Sequence, residues 1–194
     1  MPGEGWLSGA MAPFQDARRA LALVRQRVRL EKLDPARISL LGFSAGGHLM
    51  GLTASRWSGV GSPEEEDVQG RVAPLSGAAL IYPVITLEKP YDRTATRRNI
   101  AGLSPDPAQA LLWSVQSHVL PGYPPVFLTQ ADNDRIANPV NAALMAQACQ
   151  TVGTEVEYHR LPSGGHGFGM GEPGRTTASW PLWYQGWLAR RGMI

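Results

Sequence analysis

Apolar positions along this chain recur at two spacings, and each spacing predicts a kind of element. From Asp16 to Leu30, Ala17, Ala20, Leu21, Val24 and Val28 return every three or four residues with arginines between them. That spacing predicts an amphipathic helix laid against a sheet. Ile38 to Leu41, Gly77 to Val84, Pro125 to Thr129 and Glu155 to Leu161 are short runs of strand length, the first three almost continuously apolar. Runs of that kind suit strands covered on both faces. Between them lie helical segments: Ala45 to Ser55, and a stretch starting at Asn138-Pro139 in which Val140, Leu144, Ala148 and Val152 mark one face until Gly153. Trp180, Trp183 and Trp187 fall on one face of a final helix and read as core rather than as a carbohydrate platform. Four strands separated by helices predict an α/β fold, a parallel sheet with right-handed crossovers and helices on both faces, with residues 1–194 forming one domain.

Two stretches break the alternation. Trp57 to Ser76 is polar and contains Glu64-Glu65-Glu66-Asp67, a run whose spacing suits a solvated loop better than a metal site. Residues 85–123 are rich in Pro, Arg, Ser and Thr, with one short helix suggested near Pro107 to Trp113. Loops at the carboxyl ends of parallel strands line pockets, so this insertion is expected to face a substrate. Within it, Arg93, Arg97 and Arg98 read as loop anchors rather than a phosphate site, and Tyr91 and Trp113 suit either ring stacking or plain packing.

Composition narrows the function classes. An apolar content of 43% over 194 residues supports a sizeable core. A net charge of only +2 offers no electrostatic case for nucleic acid or a membrane surface as partner. Cys149 is the single cysteine, so no internal disulfide forms, and its helical setting predicts burial. No run of eighteen apolar residues occurs, and Met1 to Ala12 lacks the layout of a secretion signal. The expectation is a soluble chain, cytoplasmic as it stands, or periplasmic or secreted if an amino-terminal segment is missing.

The chemistry is concentrated where the first strand runs into its helix. Gly42-Phe43-Ser44-Ala45-Gly46 has the form Gly-x-Ser-x-Gly, in which flanking glycines allow a sharp strand-to-helix turn with the serine at its apex. Ser44 is the candidate nucleophile, and the amide of Ala45, at the start of the helix, is the candidate oxyanion donor. A serine hydroxyl needs a base, and the base needs an acid to orient it. His166 sits among four glycines in the loop after the fourth strand and is the candidate base. Asp132 and Asp134 both lie in the exit loop of the third strand. Asp134 is preferred because the chain after it turns into a helix, while Asp132 suits the turn itself.

Taken together, Asp34-Pro35-x-Arg37-Ile38, Gly42 to Leu49, Tyr82-Pro83-Val84-Ile85-Thr86, Arg97-Arg98-Asn99 with Gly102, Pro124-Pro125 and Gly164 to Gly169 resemble the BD-FAE-like bacterial carbohydrate esterases of the α/β-hydrolase superfamily. Acetyl xylan esterases and xylanase B proteins are among its relatives. The resemblance spans about residues 13 to 170 and implies a Ser-Asp-His triad, no cofactor, no metal, and hydrolysis of small acyl esters, including those on sugars. Two departures stand out. Gln130 and Asn138-Pro139 replace the usual His and Val-Pro around the acid loop, and no His-Gly-Gly type oxyanion loop or preceding strands lie upstream of the elbow. The expected fold is therefore an α/β hydrolase lacking its usual amino-terminal strands, with an open sheet edge that favours association between copies.

The expected function is a serine hydrolase acting on short-chain carboxylic esters, with a small-molecule or oligosaccharide ester as its partner. Two alternatives stay open: a peptidase of the prolyl-oligopeptidase type, which shares the elbow and triad order, and a non-catalytic remnant that acts in binding or oligomerisation.

Overall fold

The structure is a computed structural model that describes residues 7–55 and 74–194, with side chains from residue 11 onward. Most of the predicted Trp57 to Ser76 loop, including Glu64 to Asp67, lies outside the described residues. Four strands form one parallel sheet in the order β1 (Ser39–Phe43), β2 (Gly77–Ile81), β3 (Val126–Ala131) and β4 (Val156–Leu161). Their six principal helices are α1 (Leu7–Leu30), α2 (Ala45–Ala54), α3 (Ala95–Ala101), α4 (Pro107–Leu112), α5 (Val140–Thr151) and α6 (Trp180–Arg190).

The sheet is covered on both faces, and the two-residue period decides which side chain meets which layer. Ala78, Leu80, Val126 and Leu128 point into a core with Met11 and Phe14 of α1, Leu52 of α2 and Met145, Ala146 and Cys149 of α5. Ala79, Ile81, Phe127 and Ala131 point the other way, against Trp180 and Trp187 of α6. The central strands β2 and β3 are buried throughout, as their unbroken apolar runs require. Each fully buried Leu, Ile or Phe contributes about 1.5–3 kcal/mol through its lost water contact. Gly77 has no side chain because Trp187 occupies the space where a Cβ would go.

Several elements differ from their sequence reading. α1 begins well before Asp16, and its buried row runs through Met11, Phe14, Leu21, Ala22, Arg25 and Val28, leaving Leu23 and Val24 exposed. The row is rotated because it includes Arg25, which an apolar count passes over. In α5 the fully covered row is Asn141, Ala142, Met145, Ala146 and Cys149, one position around from Val140, Leu144 and Ala148. β2 stops at Ile81 rather than Val84, because Tyr82 takes a φ of 38° and turns the chain out of the sheet.

Residues 85–123 hold more structure than the single predicted helix. α3 has no buried residue and so no apolar period to betray it. It is started by Thr94, whose side chain accepts from Arg97 N, as α4 is started by Asp106 with Pro107 behind it. The insertion is fastened at its base. Asn141 Oδ1 accepts from the amides of Ile85 and Thr86 at 2.7 and 3.0 Å, and Ser114 Oγ accepts from Leu87 N at 2.9 Å. Arg97 bonds the carbonyls of Asp92, Gly102 and Leu103 and pairs with the Asp92 carboxylate. Trp113 is 1% exposed and packs in the core.

Candidate active site

All four strands end on the same side, and the candidate residues sit on the turns that follow. Ser44 has φ 52° and ψ −118°, a conformation that side chains other than glycine rarely adopt. It is held there from both directions. Ser44 N donates to Ile81 O at 2.9 Å, and Ser44 O accepts from His48 N and Val84 N, each at 3.2 Å. The close approach at the elbow is made at Gly42, where a Cβ would run into the carbonyl of Gly46. Gly47 packs on Pro83. Gly46 itself meets no described atom within 4 Å of where its Cβ would stand, so the turn does not need that glycine for space.

Ser44 Oγ lies 2.7 Å from His166 Nε2, and His166 Nδ1 lies 2.8 Å from Asp134 Oδ2. Facing a carboxylate, Nδ1 is the donor, which leaves Nε2 as acceptor for the serine hydroxyl. The His166 side chain is 18% exposed and that of Asp134 is fully covered. Asp134 is set by its own turn as well: Oδ1 accepts from Ile136 N and Ala137 N at 2.8 and 2.9 Å. Asp132 does not enter the group; it pairs with Arg160 at the surface. Ala45 opens α2, so its N–H has no carbonyl partner within its own helix, and it lies beside Ser44.

The glycine-rich loop that carries His166 is pinned from three sides. Asn133 Oδ1 accepts from the amides of Gly164 and Gly165, Tyr82 Oη accepts from Gly169 N, and Trp180 Nε1 donates to Gly169 O. The Tyr82 ring stands edge-on to His166 at 5.1 Å and to Phe168 at 4.5 Å. Burial pushes the Tyr82 hydroxyl above its ordinary range, against the opposing bond from Gly169, so it stays an uncharged acceptor. No local sequence pattern marks Tyr82 and Asn133 as supports. Only the positive φ of Tyr82 and the proximity of strand ends reveal them.

Beside Ala45 opens a cavity of about 270 Å³ lined by Pro13, Phe14, Gly46, His48, Leu49, Leu52, Thr96, Asn99, Ile100 and Trp113. Its walls are mostly apolar, with Thr96 and Asn99 coming from α3 in the insertion. His48 is buried, with Nε2 donating to Trp113 O at 2.7 Å, and burial pushes its pKa down to about 4 despite that bond, with His118 adding to the shift. Its imidazole is therefore neutral. Among the described residues no cluster of three metal-ligating side chains occurs.

A family profile described as alpha/beta hydrolase fold matches residues 10–170. The chain belongs to this family. It is similar to the acetylxylan esterase of Xylanibacter ruminicola, 29% identical over 163 residues that make up 82% of this chain and 32% of that protein. It is also similar to endo-1,4-beta-xylanase B of Butyrivibrio fibrisolvens, 29% identical over 80% of this chain and 24% of that protein. The chain thus spans a third or less of these curated relatives. A crystal structure of an acetyl ester-xyloside bifunctional hydrolase from Caldicellulosiruptor lactoaceticus superposes with a TM-score of 0.83 at 33% identity, covering 94% of this chain and 67% of that one.

Proposed function

We propose that this α/β hydrolase cleaves short-chain carboxylic esters, acetyl groups on xylan-type sugars among them, through a covalent acyl-enzyme. The observation that carries the reading is the unbroken relay from Ser44 Oγ through His166 to Asp134, with 2.7 and 2.8 Å between successive partners. In this mechanism Ser44 attacks the ester carbonyl while His166 Nε2 takes the hydroxyl proton, and Asp134 stabilises the imidazolium that forms. Ala45 N–H donates to the oxyanion. His166 then returns the proton to the departing alcohol, a water repeats the attack, and the short acid leaves.

The substrate class is supported by the relatives, whose names point to acetyl esters of xylan, and by the cavity next to Ala45. That cavity receives the substrate in our reading, with Thr96 and Asn99 as its polar contacts. A fluorophosphonate probe tests the nucleophile directly: the parent protein is labelled and Ser44→Ala is not. Hydrolysis of p-nitrophenyl acetate falls at least about 10³-fold in the same variant. An unlabelled parent overturns the proposal. Acetyl, butyryl and feruloyl esters, and acetylated xylan, then separate acyl and alcohol preferences.

A further inference from the structure

Gln130 is the second donor to the carboxylate oxygen that His166 uses. It lies on β3, is 0% exposed, and its Nε2 is 2.9 Å from Asp134 Oδ2, the atom 2.8 Å from His166 Nδ1. The orientation of its amide follows from its surroundings. Nε2 also faces the carbonyls of Ala137 and Ala131 at 3.3 and 3.4 Å, so all three neighbours are acceptors and only the NH₂ group suits that side. The other amide atom, Oε1, is buried with no hydrogen-bond partner among the described residues. An unmet amide oxygen in a covered site is destabilising, and an apolar side chain of similar size would avoid it. Packing alone therefore does not account for a glutamine here.

We propose that Gln130 is a positioning residue for the reaction assigned above: it holds Asp134 with Oδ2 aimed at His166 and takes a share of that oxygen's negative charge. The proposal rests on the triad reading. Asp134 Oδ1 is already occupied by the amides of Ile136 and Ala137, so the turn alone fixes one oxygen and leaves the other to be shared. Dividing Oδ2 between two donors weakens its pull on the His166 proton, and removing Gln130 returns the whole charge to the imidazole. Among the described residues, the other titratable or charged groups around the pair are few. Tyr82 meets His166 with its ring edge, Asp132 is taken by Arg160, and Arg135 is exposed.

The test compares Gln130→Met, which keeps the volume and loses the donor, with Gln130→Glu, which keeps the shape and exchanges the amide for a carboxyl. In Gln130→Met, kcat on p-nitrophenyl acetate falls about tenfold with KM within about twofold. The acid limb of its kcat/KM profile moves up by about half a pH unit or more, because the undivided carboxylate stabilises the imidazolium more strongly. Gln130→Glu moves that limb further. Its loss of thermal stability is largest near neutral pH and shrinks on acidification, where one proton lies between the two carboxyls and restores a donor. A residue that merely fills space gives no limb shift in Gln130→Met; the pH-dependent stability loss of Gln130→Glu follows from burying a carboxyl beside Asp134 and does not by itself distinguish the two.

A readout independent of turnover keeps this inference separate from the proposed activity. The proton NMR resonance of His166 Nδ1–H moves downfield in Gln130→Met if Gln130 shares Oδ2, even in a protein that hydrolyses nothing. An unchanged resonance and an unchanged pH profile in folded Gln130→Met overturn the proposal. If that variant does not fold, an unchanged resonance and an unchanged pH profile in folded Gln130→Leu overturn it.

Discussion

β3 carries two kinds of order along one strand, and the contrast between its halves explains how this molecule divides stability from chemistry. Val126, Phe127 and Leu128 are fully buried among apolar neighbours, with the Phe127 ring 5.3 and 5.9 Å from those of Tyr184 and Trp187. Two residues further on, Gln130 is just as buried, but what surrounds it and Asp134 is a set of hydrogen bonds between 2.8 and 3.4 Å long. Dispersion and water exclusion are nearly indifferent to direction, so the first half tolerates small shifts. Hydrogen bonds weaken steeply when misaligned, so the second half holds a geometry. The apolar half supplies the stability, and the polar half holds the aim of His166.

The largest effect that bears on this division is at Asp134. Asp134→Asn lowers kcat by about 10⁴-fold, through the wrong donor facing Nδ1, while the melting temperature changes little beside that loss. Asp132→Asn, two residues away in an exposed pair with Arg160, changes kcat less than about twofold. Steady-state kinetics on both variants check the pair, and a comparable loss at Asp132 breaks the comparison.

At the apolar half the signature reverses. Trp187→Ala, on the far side of Phe127 and Gly77, destabilises by about 3–5 kcal/mol in denaturant unfolding while kcat per folded molecule stays at the parent value. A falling kcat in the folded fraction contradicts independence of the two halves.

An intermediate effect comes from His48, which is buried like Phe127 and hydrogen-bonded like Asp134. Its folded pKa of about 4 lies below the ordinary 6.5, so between those values the unfolded chain takes up a proton that the folded chain refuses. Stability from this group is intact above pH 6.5 and is lost as pH falls toward 4, at up to about 1.4 kcal/mol per pH unit. His48→Asn flattens that slope in unfolding measured across the window, whatever it does to the absolute value.

The smallest expected effect is a gain. Ser44→Gly removes the strain at φ 52° and raises stability by about 1 kcal/mol, even as it deletes the proposed nucleophile. A stability loss there shows that the hydroxyl contact to His166 outweighs the backbone strain and counts against the elbow as a store of strain.

Much of this molecule is legible in one dimension. Strand runs, intervening helical periods and the Gly-x-Ser-x-Gly turn are local patterns, and each strand's exit loop follows it directly in the chain. They set the α/β class, the four strands in order, and the nomination of Ser44, Asp134 and His166. Helix phase was not legible in full, because the buried row of α1 includes Arg25 and that of α5 includes Asn141, which bonds Ile85 and Thr86. Nor was α3, which buries nothing and is started by a side-chain cap.

What only the tertiary structure decided is which polar atoms meet. Asp134 rather than Asp132 faces His166, Tyr82 and Asn133 brace its loop, and Gln130 shares its carboxylate oxygen. The physical reason is that hydrophobic burial acts on patterns of residues, which a chain carries in its order, whereas a hydrogen bond acts on pairs of atoms across a few ångströms. Those pairs join elements far apart in sequence, and they exist only once the sheet has brought its strand ends together.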